Sequence, residues 1–432
     1  MIGNRWFTVH SSLMDSSDEA CESRPVIFTL LGYYLPGYKA GGPIRSIANL
    51  VAVLGREFCF RIVTSDRDLG DTSAYPGVEP DRWVRVGEAN VMYLAPGWRG
   101  HLKMMALLRS VDSGAVIYLN GFFSRRYSIL AVFMKRLGLL QTKCLVVAPR
   151  GEFSPGALGI KPIRKLLYIT IAKWLSLFRQ VVWHASTEFE AANIRRCFPG
   201  VRDISVGSVL QRVEQPERHN YGSVLSVAKD IGLISNPANR RTRQKRPGQL
   251  SVVFVSRISP MKNLLLALAV LQGVSGDVSF DIYGPAEDVG YWNQCQKVIG
   301  RLPANILVQY KGMVEHARVN EVFAEHDLFL FPTLGENFGH VICEALIAGC
   351  PVLLSDQTPW RNLEEAGVGW AIPLGEIGRF QAAVQQCIDA DEEWYAGFVA
   401  RTREYAKKLI DDPTVVEANR RIFRYASGGS SL

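Results

Sequence analysis

The chain has 432 residues, 48% hydrophobic and 21% charged, with 49 Lys and Arg against 41 Asp and Glu for a formal charge of +8. That length exceeds what one hydrophobic core usually supports, and that balance excludes a disordered, fibrous or disulfide-stapled chain. The eight cysteines form no C-x-x-C pair and no histidines stand at zinc-site spacing, which points to reduced thiols and no metal site, while the positive charge favours phosphate-bearing partners.

Residues 1–24 are a polar, acidic tail without the apolar centre of a signal peptide, and no apolar run is long enough to span a bilayer, so the expected location is cytoplasmic. From residue 26 strand-like runs alternate with helix-like ones: VIFTLLGYY, a Gly/Pro-rich loop and PIRSIANLVAVLG, then FRIVTSD, AVIYLNGFF, CLVVAPRG and VVWHAST. This alternation predicts a first Rossmann-like domain over 25–207, a parallel sheet with crossover helices. In its first loop Gly37, Gly41 and Gly42 precede a helix and permit close backbone approach to a ligand, although they do not form G-x-G-x-x-G and also fit a flexible loop. Asn120, Arg150 in APRG and His184 in VWHAST stand near later strand ends, each readable as a cleft residue or as a structural one.

The stretch KPIRKLLYITIAKWLSLFR, 161–179, mixes Lys161, Arg164, Lys165, Lys173 and Arg179 with aliphatic and aromatic residues. Peripheral membrane helices have this composition, and so does a core helix with a solvated basic face. Residues 208–249 turn polar and basic, with NRRTRQKRPG before the next strand, and read as an interdomain linker or surface insertion. Without interleaved aromatics or a known module they do not indicate a nucleic-acid partner. A second alternating series over 250–390 (LSVVFVSR, VSFDIYG, ILVQYKG, HDLFLFPT, CPVLLSD) predicts a second Rossmann-like domain, and 391–432 reads as a closing helical segment. With two such α/β domains the expected ligand site is the cleft at the carboxyl ends of the strands.

Two segments carry the chemistry. In SRISPMKNLLLALAVL a strand delivers Arg257 and a helix is expected to open near Pro260, placing Lys262 in its first turn. A cation there opposes the helix dipole by up to ~1 kcal/mol, which makes sense if a phosphate binds; a surface lysine and a structural arginine are the plain alternative. In GENFGHVICEALIAG, Glu336 falls in a loop and Glu344 in the first turns of a helix. A carboxylate is a bidentate acceptor suited to neighbouring hydroxyls of a ribose or a sugar ring. Glu344 alone also fits a structural acid near a helix N-terminus, and two acids also fit a glycosidase pair, although the Arg257 and Lys262 cations argue for an anionic leaving group.

The ordered set SRISPMKN, DIYGP, YKGMV, GENFGHVICEA and GCPVLLSD resembles the retaining glycosyltransferases of family 4, which have the GT-B fold, and Glu336 and Glu344 match the E-x7-E spacing of that family. GGPIRSIANLV, LNGFFS, APRGEFSPGALGIKPIRK and HASTEFEAANIRR resemble bacterial members that build surface polysaccharide such as lipopolysaccharide, capsule or exopolysaccharide. The resemblance implies a nucleotide-sugar donor, a glycan or lipid-linked acceptor, no cofactor or bound metal, and a C-terminal helix packing back on the N-terminal domain. It implies that Arg257 and Lys262 hold the donor diphosphate, Glu344 the ribose and Glu336 the transferred sugar. Phe338, Gly339 and His340 would lie near the phosphates or sugar, Tyr283, Gly284 and Pro285 with Lys311, Gly312 and Met313 near the base, and Gly41 and Gly42 near phosphate or acceptor. Many members have a histidine where this chain has Asn120, and an amide cannot shuttle a proton near neutral pH. An epimerase, a phosphorylase and a non-catalytic sugar-nucleotide-binding subunit are the competing readings. Basic residues in 161–179 extend the expected location to the inner face of the cytoplasmic membrane.

Overall fold

The computed structural model describes residues 24–142, 144–201, 203–208, 244–315 and 318–428. Both the 1–24 tail and the 208–249 linker expected from the sequence therefore lie almost wholly outside the described residues. Compactness divides the chain into two units that are not consecutive in sequence: Met1–Ala148 with Leu177–His184 and Arg420–Leu432, and Pro149–Ser176 with Ala185–Asn419.

The first sheet has the order β3-β4-β2-β1-β5-β6-β7-β8, with β1 Val26–Leu30, β2 Cys59–Ser65, β3 Trp83–Val86, β4 Ala89–Leu94, β5 Val116–Asn120, β6 Cys144–Ala148, β7 Val181–Ala185 and β8 Ile204–Val206. β1 pairs in parallel with β2 and β5, and the parallel ladder continues through β2 to β4 and through β5 to β6 and β7. Strands β4, β5 and β7 are buried along their whole length, as expected of a parallel sheet covered on both faces. The edge strand β3 runs antiparallel to β4, a departure from the parallel order that the alternation of runs suggests. Gly87, at φ 60, makes the tight turn between them.

The second sheet, order β11-β10-β9-β12-β13-β14, comprises β9 Gln249–Val255, β10 Asp277–Tyr283, β11 Ile306–Gly312, β12 Leu328–Phe331, β13 Val352–Ser355 and β14 Gly369–Ile372. Every pairing in it is parallel. Its order reverses between β9 and β12, the topological switch point at which open α/β sheets bind ligands. The core beneath is aliphatic and aromatic, including Val253, Phe254, Leu268, Phe280, Phe329 and Leu346. The basic stretch before β9 ends on a buried exception: Lys245, 3% exposed, donates its ammonium to the carbonyls of Arg246, Gln249, Ile388 and Ala390. Among the described residues six cysteines are free thiols, whereas Cys59 is disulfide-bonded, so the expectation of reduced thiols does not hold there.

The last helix, Pro413–Ala426, ends in the first unit. There Phe423 packs against Phe58, Phe60 and Tyr118 at centroid distances of 5.5, 5.8 and 5.4 Å. Arg420 makes a two-pronged ion pair with Glu57, both contacts at 2.7 Å. This hydrogen bonding holds the Glu57 carboxyl below its usual pKa, overcoming its partial burial. A depressed folded-state pKa stabilises above the unfolded value and is lost as pH falls through the folded one. Glu57→Gln should accordingly cost about 1 kcal/mol at pH 7 and progressively less below about pH 4 in chemical denaturation. An equal cost at pH 3 and pH 7 would show that the pair contributes through packing alone.

Candidate functional site

The sequence-selected residues of the second unit collect at the carboxyl ends of adjacent strands. Arg257 follows β9, Tyr283, Gly284 and Pro285 close β10, Gly312 and Met313 close β11, and Glu336 lies in the loop after β12. Backbone hydrogen bonds fasten these ends to one another: Ser256 donates to the Tyr283 carbonyl, Ile258 to Pro285 and Gly284 to Gly312, at 3.0, 2.8 and 2.8 Å. Tyr310 donates its hydroxyl to the Gly284 carbonyl at 2.9 Å and packs against Trp292. Burial pushes the Tyr283 phenol up from its ordinary pKa. Arg257 is half-exposed and pairs with Glu287 at 3.2 Å, a surface contact weak enough to yield to an incoming anion.

The expected helix start at Pro260 is corrected by the structure. Pro260–Lys262 is a separate 3-10 turn, and Asn263, in the left-handed region at φ 56, precedes an α-helix over Leu264–Leu271. Asn263 is fixed in place by donating its amide to the Pro332 carbonyl at 2.9 Å. Lys262 is thus aimed by a turn ahead of the helix instead of standing in its first turn. Its ammonium forms an ion pair with Glu336, both side chains being largely buried, and sits 5.5 Å from the Phe331 ring centroid. The two loops are stitched together by Leu334 N–H and the Thr333 hydroxyl, which both donate to the Met261 carbonyl at 2.8 and 3.0 Å.

After the loop comes helix His340–Ala348, capped at its N-terminus by Gly339 (φ 78) and at its C-terminus by Gly349 (φ 81). At this φ any side chain on residue 339 would be strained, and its Cβ would stand 2.6 Å from Ile342 Cδ1. Glu344 is the fifth residue of this helix, one turn past the N-terminal amides, and is half-buried. Phe338 is held by the Trp360 indole, which donates to its carbonyl, and its ring lies 5.3 Å from that of His340. Among the described residues no group of three His, Cys, Asp or Glu side chains is placed to hold a metal ion.

Glu190, Gly151, Ser186 and Asn337, which sequence reading did not select, complete this region around Arg150. Glu190, 2% exposed, accepts from the backbone N–H of Gly151 at 2.6 Å and of Ser186 at 2.7 Å. The Asn337 amide orientation that satisfies every partner donates to both Glu190 oxygens, at 3.1 and 3.0 Å, and accepts from the Ser186 hydroxyl at 3.1 Å. Arg150, at φ 55, donates to that hydroxyl at 2.8 Å. Thr187 caps helix Glu188–Cys197, its hydroxyl accepting from Glu190 N–H at 3.1 Å, so the spacing T-x-x-E was the available signal.

The remaining candidates belong to the first unit. Gly41 (φ 69) precedes helix Gly42–Leu54, and the loop before it is held by Asp68, 4% exposed, which accepts from Tyr38 N–H and Lys39 N–H at 2.8 and 3.0 Å. Asn120 ends β5 and is 7% exposed. His184 is 1% exposed, hydrogen-bonded through Nδ1 to the Tyr118 hydroxyl at 2.8 Å and stacked on its ring, a core placement. In the second unit, helix Pro162–Trp174 buries only Ile169 and Ala172. Ile163 and Trp174 are each 81% exposed, Leu166 and Leu167 52% and 58%. The core-helix reading of 161–179 therefore does not describe this helix.

Residues 235–409 match the family model described as Glycosyl transferases group 1. The phosphatidyl-myo-inositol mannosyltransferase of Mycolicibacterium smegmatis is 29% identical over 185 residues, 41% of this chain and 46% of the relative. The UDP-N-acetylglucosamine–peptide N-acetylglucosaminyltransferase GtfA subunit of Streptococcus pneumoniae is 27% identical over 200 residues, 45% and 37% of the two chains. The chain thus spans less than half the length of these curated relatives. Among solved structures, Anabaena HepE in complex with UDP and glucose superposes with a TM-score of 0.64 at 17% identity, covering 94% of this chain and 100% of that one. WaaG, a glycosyltransferase involved in lipopolysaccharide biosynthesis, does so at 0.58 and 14%, covering 94% and 100%. The two parallel-sheet α/β units and these likenesses define the GT-B fold.

The close passage of strand ends in the second unit has a direct test. A Cβ at Gly284 (φ 129) would stand 1.9 Å from the Ser256 carbonyl oxygen, whereas at Gly312 (φ 74) it would meet nothing within 4 Å. Gly312→Ala should cost about 1 kcal/mol for backbone conformation alone, and Gly284→Ala about 2 kcal/mol or more, read as denaturation midpoints. Equal costs would mean that the strand ends are not fastened this closely.

Proposed function

We propose that this protein is a retaining, family 4 type glycosyltransferase that moves a sugar from a nucleoside diphosphate donor to a glycan or lipid-linked acceptor of surface polysaccharide. The observation that carries the reading is the Lys262–Glu336 pair at the switch point of the second sheet, inside the segment that matches the Glycosyl transferases group 1 model. Transfer breaks the bond between the anomeric carbon and a phosphate oxygen, so negative charge grows on the departing diphosphate. Lys262 and Arg257, with the amides at the start of helix His340–Ala348, meet that charge without a metal ion in this proposal, an electrostatic contribution of the kind that dominates many enzymes. Glu336 then takes the sugar hydroxyls and Glu344 the ribose diol. Tyr283, Gly284, Pro285, Gly312 and Met313 frame the base.

The acceptor contacts are assigned to Gly41, Gly42 and Asn120 of the first unit, with His184 serving packing. Asn120 orients a hydroxyl and moves no proton, which leaves the departing phosphate as the base in a front-face substitution that retains configuration. Relatives named for a phosphatidyl-inositol acceptor and a neighbour holding UDP and glucose support this substrate class. The apolar face of helix Pro162–Trp174, with exposed Lys161, Arg164 and Lys173 beside it, is assigned to an anionic bilayer at the cytoplasmic face of the cytoplasmic membrane.

Thermal unfolding with UDP, GDP, ADP, CMP and their common sugar conjugates tests the donor site. One nucleoside diphosphate class at about 100 times its Kd should add about 2.7 kcal/mol of stability, a gain that Glu344→Ala abolishes and Lys262→Ala weakens. The reading fails if none of these ligands stabilises the protein, or if both variants bind as the parent does. For the membrane face, the protein should cosediment with phosphatidylglycerol vesicles, leave them as salt rises, and lose binding in an Ile163→Ser, Trp174→Ser variant. Cosedimentation no better than with neutral vesicles would remove the bilayer from the proposal.

A further inference from the structure

The Glu190 carboxylate, in the first turn of helix Glu188–Cys197, is almost completely buried. A buried carboxylate persists when hydrogen-bond donors surround it. Here they come from three separate stretches of chain: Gly151 N–H, Ser186 N–H and the Asn337 amide. Asn337 is the immediate neighbour of Glu336. A Cβ on Gly151 would come within 2.7 Å of Asn337 Cβ, so the asparagine reaches Glu190 only because residue 151 is glycine. The Ser186 hydroxyl, accepting from Arg150 and donating to the Asn337 oxygen, closes the ring on its other side.

We propose that Glu190 is the positioning residue of the Glu336 loop. It clamps Asn337 through both carboxylate oxygens, and this clamp, together with the ion pair to Lys262, sets where the Glu336 carboxylate stands. The loop is then fixed from two sides, by Lys262 at one residue and by Glu190 at the next. Glu190 acts through Asn337 and touches no reacting atom. The assignment rests on the transferase reading, in which Glu336 contacts the transferred sugar.

Three consequences separate this role from ordinary stabilisation. In the full chain without ligand, Asn337→Ala and Glu190→Gln should speed hydrogen exchange of the 333–339 amides by about tenfold or more, as local opening of the loop becomes easier. With donor and acceptor, both variants should lose about 10- to 100-fold in kcat, because a small misplacement of a sugar contact is costly. Affinity for the nucleoside diphosphate alone should stay within about threefold, because the contacts to phosphate and ribose are intact. Glu190→Gln also changes the acceptor of the Gly151 and Ser186 N–H groups, so Asn337→Ala, which leaves those two bonds untouched, is the deciding variant. Unchanged exchange at 333–339 in Asn337→Ala overturns the proposal, and so does a loss of nucleotide affinity as large as the loss of kcat. Should the parent protein neither bind nucleoside diphosphates nor transfer sugar, the transferase reading fails, while the exchange result still decides whether Glu190 holds the loop.

Discussion

The second unit is organised around the pairing of Lys262 with Glu336, two largely buried charges from loops that follow strands β9 and β12. A pair of this kind does little for net stability, because the desolvation of both ions offsets most of their attraction. Its effect is geometric. Each charge would be costly without the other, so each loop has one conformation in which the other is satisfied. The hydrogen bonds of Thr333 and Leu334 to Met261 and of Asn263 to Pro332 follow from that register and repeat it in the backbone. Removing either charge should loosen the whole junction between β9 and β12, the place where the strand order turns.

Much of this was legible in the residues. Short apolar runs rich in β-branched and aromatic residues, such as VVFV and LFLF, read as strands buried on both faces, and they form β9 and β12. Glu336, Lys262 and Arg257 were selected from charge at strand ends, and the structure sets all three at the carboxyl side of the second sheet. The start of the helix after Lys262 was misread because Pro260 is a favoured first-turn residue, while the left-handed conformation of Asn263 depends on a carbonyl from Pro332, distant in sequence. Glu190 and Asn337 escaped for the same reason. Their partnership spans the two alternating series, and composition carries no record of who meets whom. The basic, apolar stretch 161–179 was ambiguous in principle, since its pattern gives a stripe and not what covers it.

Both units use buried acids to shape loops. Asp68 gathers Tyr38 and Lys39 amides ahead of Gly41 in the first, and Glu190 gathers Gly151, Ser186 and Asn337 in the second. In each case an acceptor with several lone pairs serves donors that a loop would otherwise leave unsatisfied. The glycines in these loops have the complementary task. They remove side-chain bulk where a polar side chain must come close, as Gly151 does for Asn337 and Gly37 does for Tyr75, whose hydroxyl lies 2.1 Å from where a Cβ would be.

Helix His340–Ala348 is bounded at both ends by left-handed glycines, and this fixes its phase as well as its length. A helix free at one end can absorb an extra residue by growing. Between Gly339 and Gly349 an insertion has nowhere to go, and each added residue turns everything beyond it by about 100° around the axis. Glu344 would rotate off the face it now presents while Glu336, outside the helix, stayed still. The seven residues between the two acids thus define an angle, set by a cap at Gly339 and five helical steps to Glu344, and neither acid could change its place in the chain without the other losing its bearing.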